Sequence, residues 1–529
     1  MNRSNRTNRP VVLLTAVLFL FSAVFYRLTA VSERYSYPAS GNRQGERTAV
    51  ISKSRGYIYD RNGVALVNTA HENMVIRITD VSEETGSGVT AAGNLQIRRT
   101  REKVAETNTC KNVATVKRYE GNPLCAHVIG YLDAQGQGVC GVERSFDRLL
   151  HEAEGTLSVR FSVNGLGHAI AGRGLQIRSD AYDNPAGVML TIDAEVQRIA
   201  EAAIRRSSIE TGAAVVLDVE TAEILAMVSV PVFDVNELSA SLHDERSPFL
   251  NRAVSAWPVG SVFKPIVAAA AASKGVGPDI PYTCEGGVDC GGMHFSCYRG
   301  VSHGETDLQH AICKSCNSYF IHLASLIGPQ ALVDKAKEFG FGKEIRLTGD
   351  IVNAAGVVPA AAALDSSAAL ANLSFGQGEL LASPLQLAAA YAALANGGTY
   401  REPVLMKYLI DQEGEKYAYY LNEVEYPVLD GRTCEALGKA LALNMLEGTG
   451  TAGRSDLVSS AGKTATAQTG RYPDGDTEQL CTWFCGWAPY ESPRCAIVIF
   501  NENGSAASVD CAPVFRDIIE GLYDAEMFE

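Results

Sequence analysis

The chain lacks the surplus of positive charge that nucleic-acid binding proteins use to hold phosphate groups. It carries 46 Lys and Arg residues against 60 Asp and Glu residues, a formal net charge of −14, which argues against a nucleic-acid partner. It also shows no repeat of solenoid length and no long low-complexity tract. With 529 residues, of which 46% are hydrophobic, the chain is long enough for at least two globular domains.

The amino-terminal segment lacks the cleavage site of an exported chain. Residues 1–10 hold three arginines and no acid, and residues 11–31 are mainly apolar. Because no Ala-x-Ala site follows the apolar run, we interpret this run as a retained anchor rather than a cleaved signal peptide. The basic flank predicts a single-pass protein of the cell membrane, with a cytoplasmic tail over 1–10, a transmembrane anchor over 11–31 and the remaining chain extracytoplasmic.

The stretch Trp257–Pro265 places Ser261 three residues before Lys264. In one helical turn these side chains share a face, and a helix N-terminus favours developing negative charge. A desolvated Lys264 can lose its proton and act as the base that activates the hydroxyl. A histidine-based triad does not compete, because none of the nine histidines lies in a recognisable motif and Ser261 lacks a Gly-x-Ser-x-Gly context.

Two further motifs follow at wide separations. They are Ser315-Cys316-Asn317 and Lys463-Thr464-Ala465. Together with Ser261-x-x-Lys264 they resemble the Ser-x-x-Lys, Ser-x-Asn and Lys-Thr-Gly set of penicillin-binding proteins and serine β-lactamases. Upstream, Ser54–Gly63 predicts a strand that ends in an Asn-Gly turn, and it resembles the opening motif of class B penicillin-binding proteins.

The resemblance covers nearly the whole chain after this opening motif. Three further segments carry it: Ala126–Tyr131, Gly138–Glu143 and Ser374–Ala388. It implies an α+β protein in which a transmembrane helix precedes an extended pedestal domain of the dimerisation type over residues 32–186. A transpeptidase domain would then occupy residues 187–529, with a five-stranded antiparallel sheet between helical layers.

Local patterns within the second domain agree with this fold. Asp193 is placed to cap a helix from Ala194 to about Arg206. Ser383 begins a second helix with a capping box, and this helix ends at Asn396–Gly398. β-Branched runs predict two hairpins, and strands at both ends of the domain predict a sheet built from its opposite ends. The first predicted hairpin pairs residues 213–217 with 224–230, and the second pairs 481–488 with 495–500. A helix over 509–528 is predicted to close the domain. The resemblance places Lys463-Thr464 on an inner strand.

The resemblance implies a peptidoglycan D,D-transpeptidase that forms an acyl-enzyme on Ser261 and is covalently inhibited by β-lactams. Ser261 would attack stem peptides ending in D-Ala-D-Ala, and Lys264 would take its proton. Ser315 would relay a proton to the departing D-Ala, and Asn317 would hydrogen-bond both the substrate and Lys264. Lys463 would supply positive charge near the substrate carboxylate.

The third motif also supplies the predicted substrate contacts, Thr464, Ala465 and Thr466. The backbone N–H groups of Ser261 and Thr466 would form the oxyanion hole. Ala465 departs from the glycine of the family. Because its methyl group would stand beside Lys463 or the substrate, we expect a slower or more selective enzyme.

The chain has 13 cysteines, and the odd total leaves at least one without a partner. Cys316 lies inside the second motif, and Cys297 lies in the glycine-rich stretch before it. A disulfide between them would make activity depend on redox state, with simple core packing as the alternative. Zinc on Cys313-x-x-Cys316 would block Ser315, so we expect no metal at the site and no cofactor.

Three other activities share these motifs. A β-lactamase would need neither anchor nor pedestal, and a D,D-carboxypeptidase is the nearer enzyme alternative. The altered third motif is the one feature that favours a catalytically weak penicillin-binding partner or sensor. No glycosyltransferase-like domain lies between anchor and pedestal, so we expect a membrane glycan polymerase as partner. The sequence leaves open a role in elongation, division or sporulation.

Overall fold

The computed structural model describes residues 45–79, 89–92, 94–164, 166–419, 424–473 and 475–528, with five isolated residues before them (Leu14, Phe21, Ser22, Val24 and Arg27). The predicted tail (1–10) and most of the predicted anchor (11–31) lie outside the described residues. Within the described part, none of the helices combines the length and apolar character that crossing a membrane requires.

The helices are α1 (Ala126–Ile129), α2 (Gly141–Ser145), α3 (Asp147–Glu152), α4 (Ala194–Arg206), α5 (Leu238–Leu242), α6 (Lys264–Ser273), α7 (Leu308–Lys314), α8 (Asn317–Glu338), α9 (Ser367–Ser374), α10 (Pro384–Ala395), α11 (Gly431–Glu447), α12 (Ala507–Asp510) and α13 (Ala512–Asp524). Short 3₁₀ helices include Gly260–Phe263, Tyr298–Gly300 and Thr451–Gly453.

The strands are β1 (Glu46–Ser54), β2 (Tyr57–Tyr59), β3 (Ala70–Ile78), β4 (Val89–Ala92), β5 (Leu95–Thr100), β6 (Cys110–Lys117), β7 (Gly155–Ser162), β8 (Gln176–Asp180), β9 (Gly187–Leu190), β10 (Gly212–Asp218), β11 (Ile224–Val230), β12 (Trp257–Pro258), β13 (Tyr282–Cys284), β14 (Gly287–Cys290), β15 (Met293–Ser296), β16 (Gly304–Thr306), β17 (Ile345–Arg346), β18 (Val352–Asn353), β19 (Leu381–Ala382), β20 (Thr399–Arg401), β21 (Met406–Ile410), β22 (Lys416–Ala418), β23 (Glu425–Pro427), β24 (Ala461–Gln468), β25 (Leu480–Ala488) and β26 (Cys495–Gly504).

The chain divides into two compact units. The smaller unit comprises Met1–Ile51, Asn73–Val113 and Ser158–Arg178. Its core is a cluster of apolar side chains from the strands and the loop before β8: Ile76, Leu95, Ile97, Val159, Phe161, Ala169 and Leu175. The larger unit comprises Ser52–Glu72, Ala114–Leu157 and Ser179–Glu529. The predicted boundary between residues 186 and 187 stays a prediction.

A five-stranded sheet with the order β11-β10-β26-β25-β24 forms the centre of the larger unit. Every neighbouring pair is antiparallel, and the strands come from opposite ends of the predicted domain, as expected. The inner-strand position predicted for Lys463-Thr464 is wrong, because β24 is an edge strand of the described sheet. Its outer backbone groups are thus available to an extended peptide.

Helix α6 lies in the core beside this sheet. Its residues Lys264–Ala271 are all buried, because the alanine-rich sequence offers small apolar side chains on every face. Two long side chains fix the chain just before it: Trp483 of β25 donates its indole N–H to the Pro258 carbonyl at 2.8 Å, and Tyr391 of α10 donates to the Val262 carbonyl at 3.0 Å. Sheet and helix layer therefore hold the segment that contains Ser261.

The local predictions for helices and hairpins are largely confirmed. Asp193 caps α4 by accepting from the Glu195 and Val196 N–H groups, and α10 begins with the predicted capping box of Ser383 and Gln386. The hairpins β10–β11 and β25–β26 form where expected. The single closing helix is instead two, α12 and α13, because Pro513 has no N–H to continue α12 and begins a new helix.

The predicted turn at Ser54–Gly63 belongs to a buried ionic network. Arg55 Nε donates to the Glu143 carboxylate at 3.1 Å, and Arg118 Nε donates to it at 2.7 Å. Glu143 is fully buried. Asp60 then caps the turn and accepts from the Ala194 N–H at 3.1 Å. The opening motif therefore packs against α4.

Replacing the shared acid by Glu143→Leu should lower the free energy of unfolding by about 3–5 kcal/mol, since it leaves two guanidinium groups without their buried partner. Denaturant unfolding followed by circular dichroism measures the change. Glu152→Leu is the control, because Glu152 pairs with Arg148 on the exposed surface, and it should unfold like the wild type. Equal effects of the two substitutions would contradict this assignment.

Candidate active site

Ser261 lies in the 3₁₀ turn Gly260–Phe263, which leads directly into α6. Gly260 has a φ of +68°, a conformation that glycine adopts without strain. Its N–H donates to the Gly376 carbonyl at 2.7 Å. The turn is therefore fixed by backbone contacts on both sides of the serine, and Lys264 is the first residue of the helix that follows.

Lys264 is fully buried, and its ammonium group has three acceptors in the second motif. Nζ donates to the Ser315 carbonyl at 2.7 Å, to Ser315 Oγ at 3.0 Å and to Asn317 Oδ1 at 2.7 Å. Burial lowers the pKa of Lys264 to about 7. A large fraction of the amine is then neutral at physiological pH, which a general base requires.

Ser315 joins α7 to α8 in a left-handed conformation, with φ 54° and ψ 44°. For a residue other than glycine this conformation costs about 1–2 kcal/mol. It lets both the carbonyl and the hydroxyl of the same residue reach Lys264. The strained backbone thus occurs where two polar groups must converge on one amine.

Asn317 is held from both ends of its amide. Oδ1 accepts from Lys264, and Nδ2 donates to the Ser296 carbonyl at 3.0 Å. Because the two ends of the amide differ in hydrogen-bonding character, these contacts define its orientation. The end of β15, where Ser296 lies, therefore takes part in positioning the second motif.

Lys463 extends from β24 and is fully buried. Its ammonium group donates to the Thr464 carbonyl at 3.0 Å and to Thr449 Oγ1 at 3.4 Å. Burial, and then repulsion from Lys264, lower the pKa of Lys463 well below its usual range. A charge on Lys264 therefore disfavours protonation of Lys463.

Thr449 is a site residue that sequence reasoning missed. Its hydroxyl accepts from Thr464 Oγ1 at 2.6 Å, and its N–H donates to the Cys313 carbonyl at 3.3 Å. It thereby joins the third motif to the helix that precedes the second. The only signal in the sequence is a threonine between two glycines, shortly before Lys463.

Ala465 does not stand open beside the substrate as its motif position predicted. It is 3% exposed, and a Cβ built on Gly260 would lie 3.3 Å from its methyl group. The methyl group therefore faces the turn that contains Ser261. Thr464 is buried and Thr466 is exposed, so among the predicted substrate contacts Thr466 is the one open to solvent.

The predicted bridge between Cys297 and Cys316 is not formed in this structure. The two sulfur atoms lie 3.8 Å apart and both residues are free thiols. Because the two sulfur atoms are this close, a disulfide under oxidising conditions stays a prediction. The remaining predicted site residues are brought together around Lys264 and β24.

Comparison with known proteins gives matches over most of the chain. Residues 212–520 match the family described as penicillin binding protein transpeptidase domain. The peptidoglycan D,D-transpeptidase MrdA of Haemophilus influenzae is 27% identical over 424 residues, which cover 74% of this chain and 63% of that protein. The protein of the same name in Acinetobacter baumannii is 27% identical over 594 residues, covering 94% of this chain and 86% of the relative.

The fold is shared by a solved structure. Its description reads "Structural coordination of polymerization and crosslinking by a peptidoglycan synthase complex". One of its chains superposes with a TM-score of 0.71 at 24% identity, covering 99% of both chains. The chain thus spans slightly less than two thirds of the Haemophilus relative but nearly all of this structural neighbour.

The packing of Gly260 against β24 predicts a coupling between the first and third motifs. In Gly260→Ala the new methyl group would lie 3.2 Å from Ala467 Cβ and 3.3 Å from Ala465 Cβ at a φ of +68°. The substitution should strain the turn that positions Ser261 by about 1–2 kcal/mol. If this strain opposes the reactive geometry, labelling of Ser261 by a fluorescent penicillin becomes roughly tenfold slower. Ala465→Gly alone should raise the rate, and in the double variant it should recover part of the loss.

Gly275→Ala provides the matched control. Gly275 also has a positive φ, of +78°, but open space surrounds its Cβ position. Its labelling rate should stay close to that of the wild type. A double variant no faster than Gly260→Ala would show that the two positions are not coupled.

Proposed function

The chain belongs to the class B penicillin-binding proteins, and we propose that it cross-links peptidoglycan stem peptides ending in D-Ala-D-Ala through an acyl-enzyme on Ser261. The observation that carries this proposal is the fully buried Lys264, one turn after Ser261, with its amine on Ser315 and Asn317. A serine beside a base of lowered pKa is the arrangement that covalent acyl transfer requires.

In the acylation step, the neutral amine of Lys264 takes the Ser261 proton as Oγ attacks the carbonyl between the two D-alanines. The backbone N–H groups of Ser261 and Thr466 stabilise the oxyanion. Ser315, in hydrogen-bond contact with Lys264, passes a proton to the nitrogen of the departing D-Ala. The bond between the D-alanines breaks, and an ester to Ser261 remains.

In the second step, an amine of another stem peptide attacks this ester. Lys264 accepts a proton from the incoming amine, and Ser261 recovers one as its ester bond breaks. The products are a new amide cross-link and the free enzyme. A β-lactam enters the first step in place of the D-Ala-D-Ala end and stays bound as the ester, which accounts for covalent inhibition.

Substrate binding follows from the edge position of β24. An extended stem peptide can pair with the outer backbone groups of this strand, with its carboxylate near the exposed Thr466. The Thr449 hydroxyl connects Lys463 and Thr464 and so belongs to the same binding surface. We assign Thr449 a positioning role.

We also propose that residues 11–31 anchor the protein in the cell membrane with residues 1–10 inside, and that residues 32–186 form a pedestal. The basic and then apolar composition of the first two segments supports this. A membrane glycan polymerase is the proposed partner, since the structural neighbour comes from a complex described as coordinating polymerization with crosslinking.

The direct test uses a D-Ala-D-Ala peptide with and without an acceptor amine. The transpeptidase is expected to release D-Ala and form a peptide dimer when the amine is present. Hydrolysis alone would indicate a D,D-carboxypeptidase, and penicillin binding without turnover would indicate a sensor. Mass spectrometry should place the penicillin adduct on Ser261 and on no other residue, and Ser261→Ala should abolish it.

The proton-accepting role of Lys264 predicts the pH dependence of acylation. Because the protonated amine cannot act as a base, the second-order rate of penicillin acylation should fall as pH decreases through about 7, the pKa of the buried amine. Lys264→Arg keeps the charge without providing a base at this pH. It should lose about 10²–10⁴-fold in rate, the usual contribution of general-base assistance.

Stopped-flow measurement of acylation between weakly acidic and alkaline pH provides the profile. Lys274→Arg, at the exposed end of α6, is the control and should retain both the rate and the profile. A flat profile for the wild type, or a normal rate for Lys264→Arg, would remove Lys264 from the proton transfer.

A further inference from the structure

Four metal-binding side chains converge behind the turn that carries Ser315. Cys284, Cys297, His303 and Cys316 each direct one ligand atom inward, and these atoms all lie within 4.8 Å of one another. The Cys297 sulfur is 3.7 Å from that of Cys284 and 3.8 Å from that of Cys316. His303 Nδ1 lies 3.2 Å from the Cys284 sulfur.

These distances fit a tetrahedral metal centre. With zinc–sulfur bonds of about 2.3 Å, neighbouring ligands of a tetrahedron lie roughly 3.8 Å apart. The three cysteines are at most 1% exposed and His303 is half-buried, so the group is closed to solvent on most sides. Four ligands of this kind, without an open position, are typical of structural rather than catalytic zinc.

The ligands come from four separate pieces of chain. Cys284 ends β13, Cys297 precedes the 3₁₀ helix Tyr298–Gly300, His303 precedes β16, and Cys316 caps α8. Between Cys284 and His303 the strands are short: β14 pairs with β15, and β13 pairs with β16 beyond His303. Such short strands bury little apolar surface, and a metal crosslink is a common way to fix a segment of this kind.

We propose that Cys284, Cys297, His303 and Cys316 bind a structural Zn²⁺ ion that fixes the loop over residues 284–303 against the second catalytic motif. The three thiols bind as thiolates and release their protons to solvent. The oxidation states do not change. The further claim that this loop supports acylation rests on the proposed function, whereas metal binding itself does not.

Ser318 provides an outer contact for this site. Its hydroxyl lies 3.2 Å from the sulfur of Cys284, 3.5 Å from that of Cys297 and 3.3 Å from that of Cys316. A hydroxyl within reach of all three sulfurs can donate to a thiolate and orient it, as outer contacts do in other metal sites. The side chain is itself fully buried.

The metal and the catalytic groups occupy opposite sides of one short segment. Ser315 and Asn317 reach Lys264, while the side chain of Cys316 between them points to the cluster. The objection raised by Cys313-x-x-Cys316 therefore does not apply, because Cys313 is outside the cluster. On the other side, Cys297 directly follows Ser296, whose carbonyl holds the Asn317 amide. Metal binding would thus fix both partners of that hydrogen bond.

The test measures metal content in the purified full-length protein under reducing conditions. Inductively coupled plasma mass spectrometry should find about one zinc per chain in the wild type. Cys284→Ser and Cys316→Ser should each lower this content severalfold. Cys290→Ser is the matched control, since Cys290 lies in the same loop but contacts the Ser367 carbonyl, and it should retain full zinc.

Cobalt substitution tests the ligand set without any mutation. The chelated wild-type protein, reconstituted with Co²⁺, should show intense thiolate-to-cobalt charge-transfer bands and the visible absorption of tetrahedral cobalt. Readdition of Zn²⁺ should remove both. Absence of bound zinc together with absence of these bands would overturn the proposal, as would full zinc content in folded Cys284→Ser and Cys316→Ser.

Penicillin acylation of the chelated wild type tests the link to catalysis. We expect at least tenfold slower labelling of Ser261, restored by Zn²⁺. Unchanged labelling in a protein shown to have lost its zinc would overturn the positioning role. If zinc-loaded protein binds metal but fails to acylate, the proposed function fails and the metal site stands.

Discussion

The burial of the Lys264 amine is the constraint on which the candidate site depends. A buried ammonium group without partners would be strongly unfavourable, and here Ser315 and Asn317 supply three acceptors within 3.0 Å. Two of these acceptors belong to one residue, which requires the left-handed backbone at Ser315. The same burial that makes these contacts necessary also lowers the pKa of Lys264 to about 7, so one arrangement accounts for both the geometry and the basicity.

Close packing connects this arrangement to the sheet. A Cβ at Gly260 would lie only 3.2–3.3 Å from Ala465 and Ala467 of β24, and Trp483 of β25 donates to the Pro258 carbonyl of the preceding segment. Because the turn of Ser261 rests directly on the strand of Lys463, a small change in either displaces the other. The methyl group of Ala465 lies against residue 260, which is glycine, and this gives room for the alanine at the third position of the motif.

Features governed by local sequence were predicted well, and features governed by tertiary contacts were not. The Asp193 cap, the capping box at Ser383 and both hairpins depend on neighbouring residues, so they could be read from the sequence. The edge position of β24 and the direction of the Ala465 methyl group depend on which strands pair. Thr449 acquires its role because α11 and α7 bring it to Lys463, and a threonine between two glycines does not by itself indicate that contact.

The cysteines illustrate the same limit and lead to a further point. Cys284 and Cys297 are 13 residues apart and Cys316 follows 19 residues later, a spacing unlike the short pairs of common zinc motifs, so sequence reasoning considered one pair at a time. The fold instead brings Cys284, Cys297, His303 and Cys316 together on one side of Ser315. Lys264 contacts Ser315 on the other side. The strained conformation of Ser315 therefore has contacts on both sides: its own groups bond to the buried Lys264 amine, and the next residue, Cys316, packs against Cys297 and Ser318. Only Ser315 and Cys316 lie between the two helices, so contacts on both faces of this short connection determine the position of the Ser315 hydroxyl.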